Sequence, residues 1–317
     1  MPNASIPTCP AFPFSDPNAS HLVHDELTHD WVILAPGRRY RPDAIQRKVK
    51  KIADPFSPEG LKSEHVLATI GRGANRVVAV ENRFPVFHDK KGLVGRQEIL
   101  AEGMAKQPFT KFSVAGIATA VEAWAKRMGE FRKDPLIQYI QFLKNEGHEA
   151  GASQLHPHSQ LFGLHFVPER IRLMEKARKK MGSLEQVHAH ILREATPART
   201  IYQNSKVIAF ANPTARFPYE VRILTRRAID HLSAASPAEL KSVANALFTL
   251  FPLVRKSGWS FNLFCHDVTG DMNEPFEMRF APRMSYWGGF ELDAGIIVNP
   301  VPAECAAEEY RAEIKKT

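Results

Sequence analysis

The chain has 317 residues, 44% of them hydrophobic and 24% charged, with 42 Lys+Arg against 34 Asp+Glu for a formal net charge of +8. That composition excludes a disordered chain, a collagen-like chain and a small cross-linked scaffold, and it allows one large domain or two of about 150 residues. No apolar run approaches the roughly 20 residues that span a bilayer, residues 1–20 lack the basic and apolar regions of a secretory signal, and Cys9, Cys265 and Cys305 are too few and too scattered for a disulfide framework. A reducing, cytoplasmic location is therefore expected.

Residues 1–20 are rich in Pro, Ser and Asn and read as an extended arm. Trp31 to Leu34 reads as a strand followed by a Pro-Gly turn, and Arg38 and Arg41 come just past it. Arginines at such a strand end are well placed to grip phosphate with both arms of the guanidinium. Val77 to Val80 is a β-branched strand that ends at Asn82-Arg-Phe84-Pro, and Gln97 to Ala101 reads as another strand. Ser113 to Arg132 has helical periodicity, with Val114, Ile117, Val121 and Trp124 on one face and Ser113 as N-cap. Ile137 to Phe142 alternates like a strand, a glycine-rich loop runs from Asn145 to Ser153, and His156 to Phe166 is a further strand.

The order then recurs. Val207 to Phe210, Glu220 to Leu224, a helix over Pro237 to Arg255 capped by Ser236, Trp259 to Phe264 and Phe276 to Phe280 repeat the sequence of elements at an offset of roughly 120 to 130 residues. The chain reads as α+β, a tandem duplication of a strand-helix-strand half. A second basic cluster, Arg170 to Lys180, has glutamates interspersed and reads as a solvated helix face. Neither basic cluster interleaves aromatics as a nucleic-acid surface would, so no nucleic-acid partner is expected.

The chemistry concentrates in Asn145-Glu-Gly-His-Glu-Ala-Gly151-Ala-Ser153-Gln-Leu-His156-Pro-His158-Ser-Gln160. Glycines let backbone N–H groups approach an anion closely. Strand alternation predicts His156, His158 and Gln160 on one face, and three polar residues there are costly to bury unless they serve a site. A neutral imidazole can attack phosphorus, and an amide such as Gln160 can donate to a phosphoryl oxygen without supplying a proton. His148, His165, His188, His190 and His231 read as ordinary structural or surface histidines.

This string resembles the active-site signature of the galactose-1-phosphate uridylyltransferase family, within the histidine-triad superfamily. The resemblance covers most of the chain: Trp31 to Pro42, Asn82 to Pro85, the His-x-His-x-Gln segment, and Gly289 to Glu291 with Asn299 to Glu304 keep the family's order. It implies two tandem histidine-triad-like half-barrels, each an antiparallel sheet with helices packed outside. The expected division is an arm over 1–20, a first repeat over 21–190 carrying the active site, and a degenerate second repeat over 191–317. The resemblance implies that His158 attacks the α-phosphorus of a nucleotide sugar, that the His156 main-chain carbonyl orients its ring, and that Gln160 holds the phosphoryl group. It assigns phosphate oxygens to Asn145, Gly151 and Ser153, nucleotide or phosphate contacts to Arg38, Arg41, Asn82 and Phe84, and sugar hydroxyls to Glu291. The expected partners are a nucleotide sugar and a sugar 1-phosphate, with a homodimer allowed and no membrane. Uridylyl transfer is favoured. Adenylyl transfer by a phosphorylase of ADP-sugars or dinucleoside tetraphosphates, and a nucleotide-binding protein without turnover, stay open, and a hydrolase or an RNA-binding protein is less favoured.

Departures from the family pattern carry their own expectations. Its structural zinc uses a Cys-x-x-Cys pair, a further histidine and the first histidine of His-x-His. Here the pair position reads Asp54-Pro-Phe-Ser57 and the third falls near Met104 or Ala105. His156 alone does not make a zinc site, so no metal and no other cofactor is expected. Where some relatives bind metal through a second His-x-His, this chain has Glu277-Met-Arg279; a pair between Glu277 and Arg279 is favoured, and Arg279 facing a phosphate stays open. Ser285 and Ile297 stand where lysine and glutamine contacts are typical of the galactose site.

Overall fold

A computed structural model describes residues 21–24, 31–34, 54–82, 85–86, 95–284 and 286–316, the first two segments as backbone only. Strands β1 (His21–His24) and β2 (Trp31–Leu34) form a small antiparallel pair. After the short helix α1 (Pro58–Leu61) come β3 (Val66–Ile70), β4 (Val77–Glu81), β5 (Arg96–Glu102), helix α2 (Val114–Phe131), β6 (Tyr139–Glu146) and β7 (His158–Leu164). Helices α3 (Glu169–Met181) and α4 (Leu184–Leu192) lead to β8 (Thr200–Gln203), β9 (Val207–Ala211), β10 (Val221–Thr225), helix α5 (Pro237–Ser257), β11 (Ser260–Val268) and β12 (Met278–Arg283). Helices α6 (Gly289–Ala294) and α7 (Ala303–Ile314) close the chain.

The ten strands β3 to β12 form one antiparallel sheet in the order β3-β4-β5-β7-β6-β11-β12-β10-β9-β8. Read from either edge, the order is the same for its half: three strands, then the last strand, then the fourth. The duplication read in the sequence is therefore present, and the halves join where β6 pairs with β11, with Asn145 opposite Asn262 and Phe142 opposite Cys265. The boundary expected at 190 falls inside α4, between the last strand of one half and the first of the other.

One sheet face carries the core. Ser113 caps α2 by accepting from the Gly116 N–H, and Ile117, Val121, Trp124, Met128 and Phe131 are buried. Ser236 and Glu239 form a reciprocal capping box on α5, whose Val243, Leu247, Leu250 and Val254 are buried. Their apolar stripes meet Ile140, Phe142, Leu161, Phe261, Leu263 and Phe280 of the central strands in one cluster. The Trp124 and Phe142 rings lie 4.6 Å apart at its centre.

The opposite face is covered in patches. Phe56 and Leu61 pack on Val78, Val80, Ile99 and Ala101, Ile171 of α3 on Tyr139, Leu164 and Val268, and Ile191 and Leu192 of α4 on Ile208, Phe210 and Leu224. The site lies on this face. In α3, Lys179 pairs with Glu175 at the surface as expected. Arg178 departs from the solvated-face reading: it is buried, with Nη2 at 2.8 Å from Asp271 and 3.0 Å from Glu274. No helix among the described residues is long and apolar enough to cross a membrane.

Candidate active site

His158 begins β7 and is buried. Its Nδ1 lies 2.9 Å from the main-chain oxygen of His156. A carbonyl oxygen only accepts, so Nδ1 carries the proton, and in the neutral ring the lone pair is on Nε2. The Phe56 ring, 5.2 Å from the His158 ring, packs against it. Ring tautomer and ring position are thus set by neighbours before any substrate binds.

Gln160 lies two residues along the same face. Its Oε1 accepts from Gln97 Nε2 at 3.3 Å, and Gln97 Oε1 accepts from the Val86 N–H at 2.8 Å. With its oxygen engaged, the Gln160 NH2 group is the end that can donate to a phosphoryl oxygen. Gln97 belongs to the site and was missed, because in the sequence it is one polar residue at the start of a strand.

Asn145 lies in β6, which runs on to Glu146, and not in the loop the sequence suggested. Asn262 Nδ2 donates to Asn145 Oδ1 at 2.8 Å and to the Ala150 carbonyl at 2.9 Å. The second half therefore fixes both the asparagine and the loop. In that loop Gly147 has φ +87°, and a Cβ there would stand 2.2 Å from Ser260 Oγ, so only glycine fits. Gly151 has φ +78°, but its N–H donates to the His148 carbonyl at 2.9 Å. The turn takes the N–H, and Gly151 shapes the loop. Ser153 follows, half-buried.

His156 precedes the strand, so strand alternation does not govern it. Its ring is buried against the Phe56 ring at 5.9 Å, with Nδ1 2.9 Å from Asp54 Oδ2. Asp54 Oδ1 accepts from the Phe56 N–H at 3.0 Å, which fixes the turn that brings Phe56 to the histidines. The family's zinc does not fit here. Asp54 and His156 are the donors at those positions, each engaged with the other, and the described residues hold no group of three His, Cys, Asp or Glu able to take a metal.

Asn82 stands at the end of β4, one step beyond the pair Glu81 and Glu98. Glu291 is half-buried in α6, where its Oε2 accepts from the Gly288 N–H at 3.0 Å and caps the helix. Arg38, Arg41, Phe84 and Ser285 lie outside the described residues.

On the core face, directly beneath, sits a buried charge network. Glu102 accepts from Lys144 Nζ at 2.6 Å, Trp124 Nε1 at 2.8 Å and Ser159 Oγ at 2.8 Å. Lys144 and Glu102 have 0% side-chain exposure. Lys144 Nζ also lies 3.4 Å from the His158 carbonyl oxygen and 4.3 Å from the Phe109 ring centre.

In the second half, Arg279 Nε pairs with Glu277 at 2.5 Å, as expected, and Arg222 bridges Glu277 and Glu194. Burial alone would favour the neutral Glu277 carboxyl, but Arg279 and Arg222 hold it down to about 2. A carboxyl lowered on folding adds stability that is present above its unfolded value, near 4.5, and is lost as pH falls towards 2. Urea unfolding from pH 7 to pH 2 is expected to show the wild type losing up to about 3 kcal/mol more than Glu277→Gln over that window. Parallel pH profiles would show that the cluster contributes no such linkage.

Residues 86–168 match the family model of the galactose-1-phosphate uridyl transferase N-terminal domain. The chain is 25% identical over 330 residues to a galactose-1-phosphate uridylyltransferase of Thermotoga maritima, covering 92% of this chain and 97% of that protein. It is 24% identical over 324 residues to an ADP-glucose phosphorylase of Arabidopsis thaliana, covering 92% of each. A solved uridylyltransferase structure superposes with a TM-score of 0.77 at 23% identity over 93% of this chain and 98% of that one. The Arabidopsis thaliana ADP-glucose phosphorylase, solved with bound ADP-glucose, gives 0.72 at 22% identity over 92% and 99%. Fold and relatives define an enzyme of the nucleotidyltransferase class. Over most of its length the chain is similar to galactose-1-phosphate uridylyltransferases.

Proposed function

We propose that the chain moves a uridylyl group between a UDP-sugar and a sugar 1-phosphate, with His158 as nucleophile. The observation that carries this is the hydrogen bond from His158 Nδ1 to the His156 carbonyl, which leaves the lone pair on Nε2. Nε2 attacks the α-phosphorus, a phosphorus–nitrogen bond forms, and the bond to the sugar-phosphate oxygen breaks with its electron pair leaving on that oxygen. The acceptor phosphate oxygen then attacks the same phosphorus, and the electron pair returns to Nε2. Gln160 donates to a phosphoryl oxygen in both steps and has no proton to give a leaving group, which favours phosphate acceptors over hydrolysis. In this path Asn145 and Ser153 would contact the phosphate oxygens. No step needs a metal, in keeping with the poor donor set around His156.

A second reading has its own support. The ADP-glucose phosphorylase matches this chain at nearly the same identity and coverage as the Thermotoga maritima enzyme. Adenylyl transfer to phosphate would use the same histidine. Incubation with α-phosphate-labelled UDP-glucose and, separately, ADP-glucose tests both. Acid-labile, base-stable label on the protein is expected from one of them, discharged faster by a sugar 1-phosphate or phosphate than by water. The donor that labels names the base. No label from either donor would defeat both readings, and discharge by water as fast as by any acceptor would make the protein a hydrolase.

A further inference from the structure

Arg283 is a strongly basic group whose surroundings on the site face call for a ligand. It ends β12, opposite Ser260 of β11. Its Nη1 donates to Asn262 Oδ1 at 2.9 Å, and Asn262 in turn donates to Asn145. A hydrogen-bonded line thus runs from the second half to the asparagine beside His158. The position of that line follows from register. Lys144 is paired with Ser159, so Asn145 comes level with His158, and Asn145 is itself paired with Asn262. From the His158 strand to the Arg283 strand there are three strand spacings, roughly 14 Å. An arginine reaching in from one side and a histidine holding a diphosphate on the other can close that distance.

The guanidinium is held without being neutralised. It lies over the Phe217 ring at 4.6 Å from the ring centre. Phe217 stacks on Trp287 at 5.2 Å and 9°, and Arg216 covers Trp287 at 4.7 Å. Aromatic stacking fixes a guanidinium plane while leaving its charge in place. Among the described residues no carboxylate pairs with Arg283, and its Nε is buried without a hydrogen-bond partner. The contrast with its strand neighbour is direct, since Arg279 spends its charge on Glu277. Burying a donor of a charged group unpaired is costly. An anion between Arg283 and His158 would meet the outer N–H groups of the guanidinium and its unpaired charge.

We propose that Arg283, supplied by the second half, binds the phosphate next to the one attacked: the β-phosphate of the nucleotide sugar, which is the phosphate of the departing or arriving sugar phosphate. This rests on the nucleotidyl-transfer reading above. The donor set consists of a planar fork on a fixed ring, matched to two oxygens of one phosphate.

The test compares one phosphate with two. Dissociation constants for UMP and UDP, and for AMP and ADP, are measured by titration calorimetry on the full chain as wild type, Arg283→Met and Arg283→Lys. The nucleoside diphosphate of the preferred base is expected to lose roughly 10- to 100-fold in affinity in Arg283→Met, while the monophosphate changes by less than about threefold. Arg283→Lys keeps the charge without the fork or the stacking and should fall between. If the Met variant does not fold, the Lys variant carries the comparison. An unchanged diphosphate affinity, or equal losses for both nucleotides, would overturn the assignment and leave Arg283 a structural residue. If the wild type binds none of the four nucleotides, the nucleotidyl-transfer reading itself fails, an outcome separate from failure of the Arg283 assignment.

Discussion

Replacing His158 by alanine is expected to remove both the labelled protein and turnover, with the transfer rate falling on the order of 10⁴-fold or more. The size follows from what the ring does in the proposed path. It supplies the electron pair that opens the reaction and accepts it back when the second substrate arrives, so no other group inherits its role. His156→Ala is expected to behave differently. The group that orients His158 is the His156 carbonyl, which survives the substitution, whereas the lost ring breaks its link with Asp54. Label should still form in that variant, more slowly and in a less stable protein. The comparison is read from single-turnover labelling together with thermal unfolding. Label that persists in His158→Ala would place the nucleophile elsewhere. Equal, total loss in both variants would mean that His156 acts through its side chain.

The architecture was largely legible because the two halves repeat one pattern. The helix over Ser113 to Arg132 and the helix over Pro237 to Arg255 each carried a capping serine and a stripe of apolar residues, and α2 and α5 fall on those segments. The central strands alternated clearly, since one face meets these helices and the other bears the site. What the pattern could not supply was the joint. Nothing in periodicity says that β6 pairs with β11, because strand pairing across more than a hundred residues is decided by which edges remain once each half has folded. That joint brings Asn262 to Asn145, and so it was invisible until the sheet order was known.

The site divides in the same way. His158, Gln160 and Asn145 lay within one short segment, whose resemblance to the family signature singled them out. Gln97, Phe56, Asn262 and Arg283 are scattered over more than two hundred residues and are joined only by the sheet. His156 lies just outside the strand. Alternation holds inside a strand, and β7 begins two residues later, after Pro157. At the family's zinc position, only the coordinates show Asp54 bonded to His156.

Lys144 was the least expected element, and its removal should have the second large effect. By alternation it shares the core face with Ile140 and Phe142, where a lysine is out of character, and it has no exposed side-chain surface. It is tolerated because Glu102 meets it at 2.6 Å. In Lys144→Met the Glu102 carboxylate would keep Trp124 and Ser159 as donors but lose its cation in a dry site, at a cost of about 3–5 kcal/mol. Glu102→Gln should cost less. Glu146 lies 3.5 Å from Lys144, its carboxyl pushed up by burial, and it can take over the charge. The double variant Lys144→Met/Glu102→Gln removes both charges and should recover a good part of the loss, giving a coupling energy of at least about 1 kcal/mol in a double-mutant cycle. Strict additivity would show that the pair is not an interacting unit. The loss should extend beyond stability, because Lys144 also reaches the His158 carbonyl and Glu102 holds Ser159 next to it. In the double variant the strand that presents His158 loses two of its ties. Labelling of His158 should therefore stay slower than in the wild type even where the melting temperature has recovered.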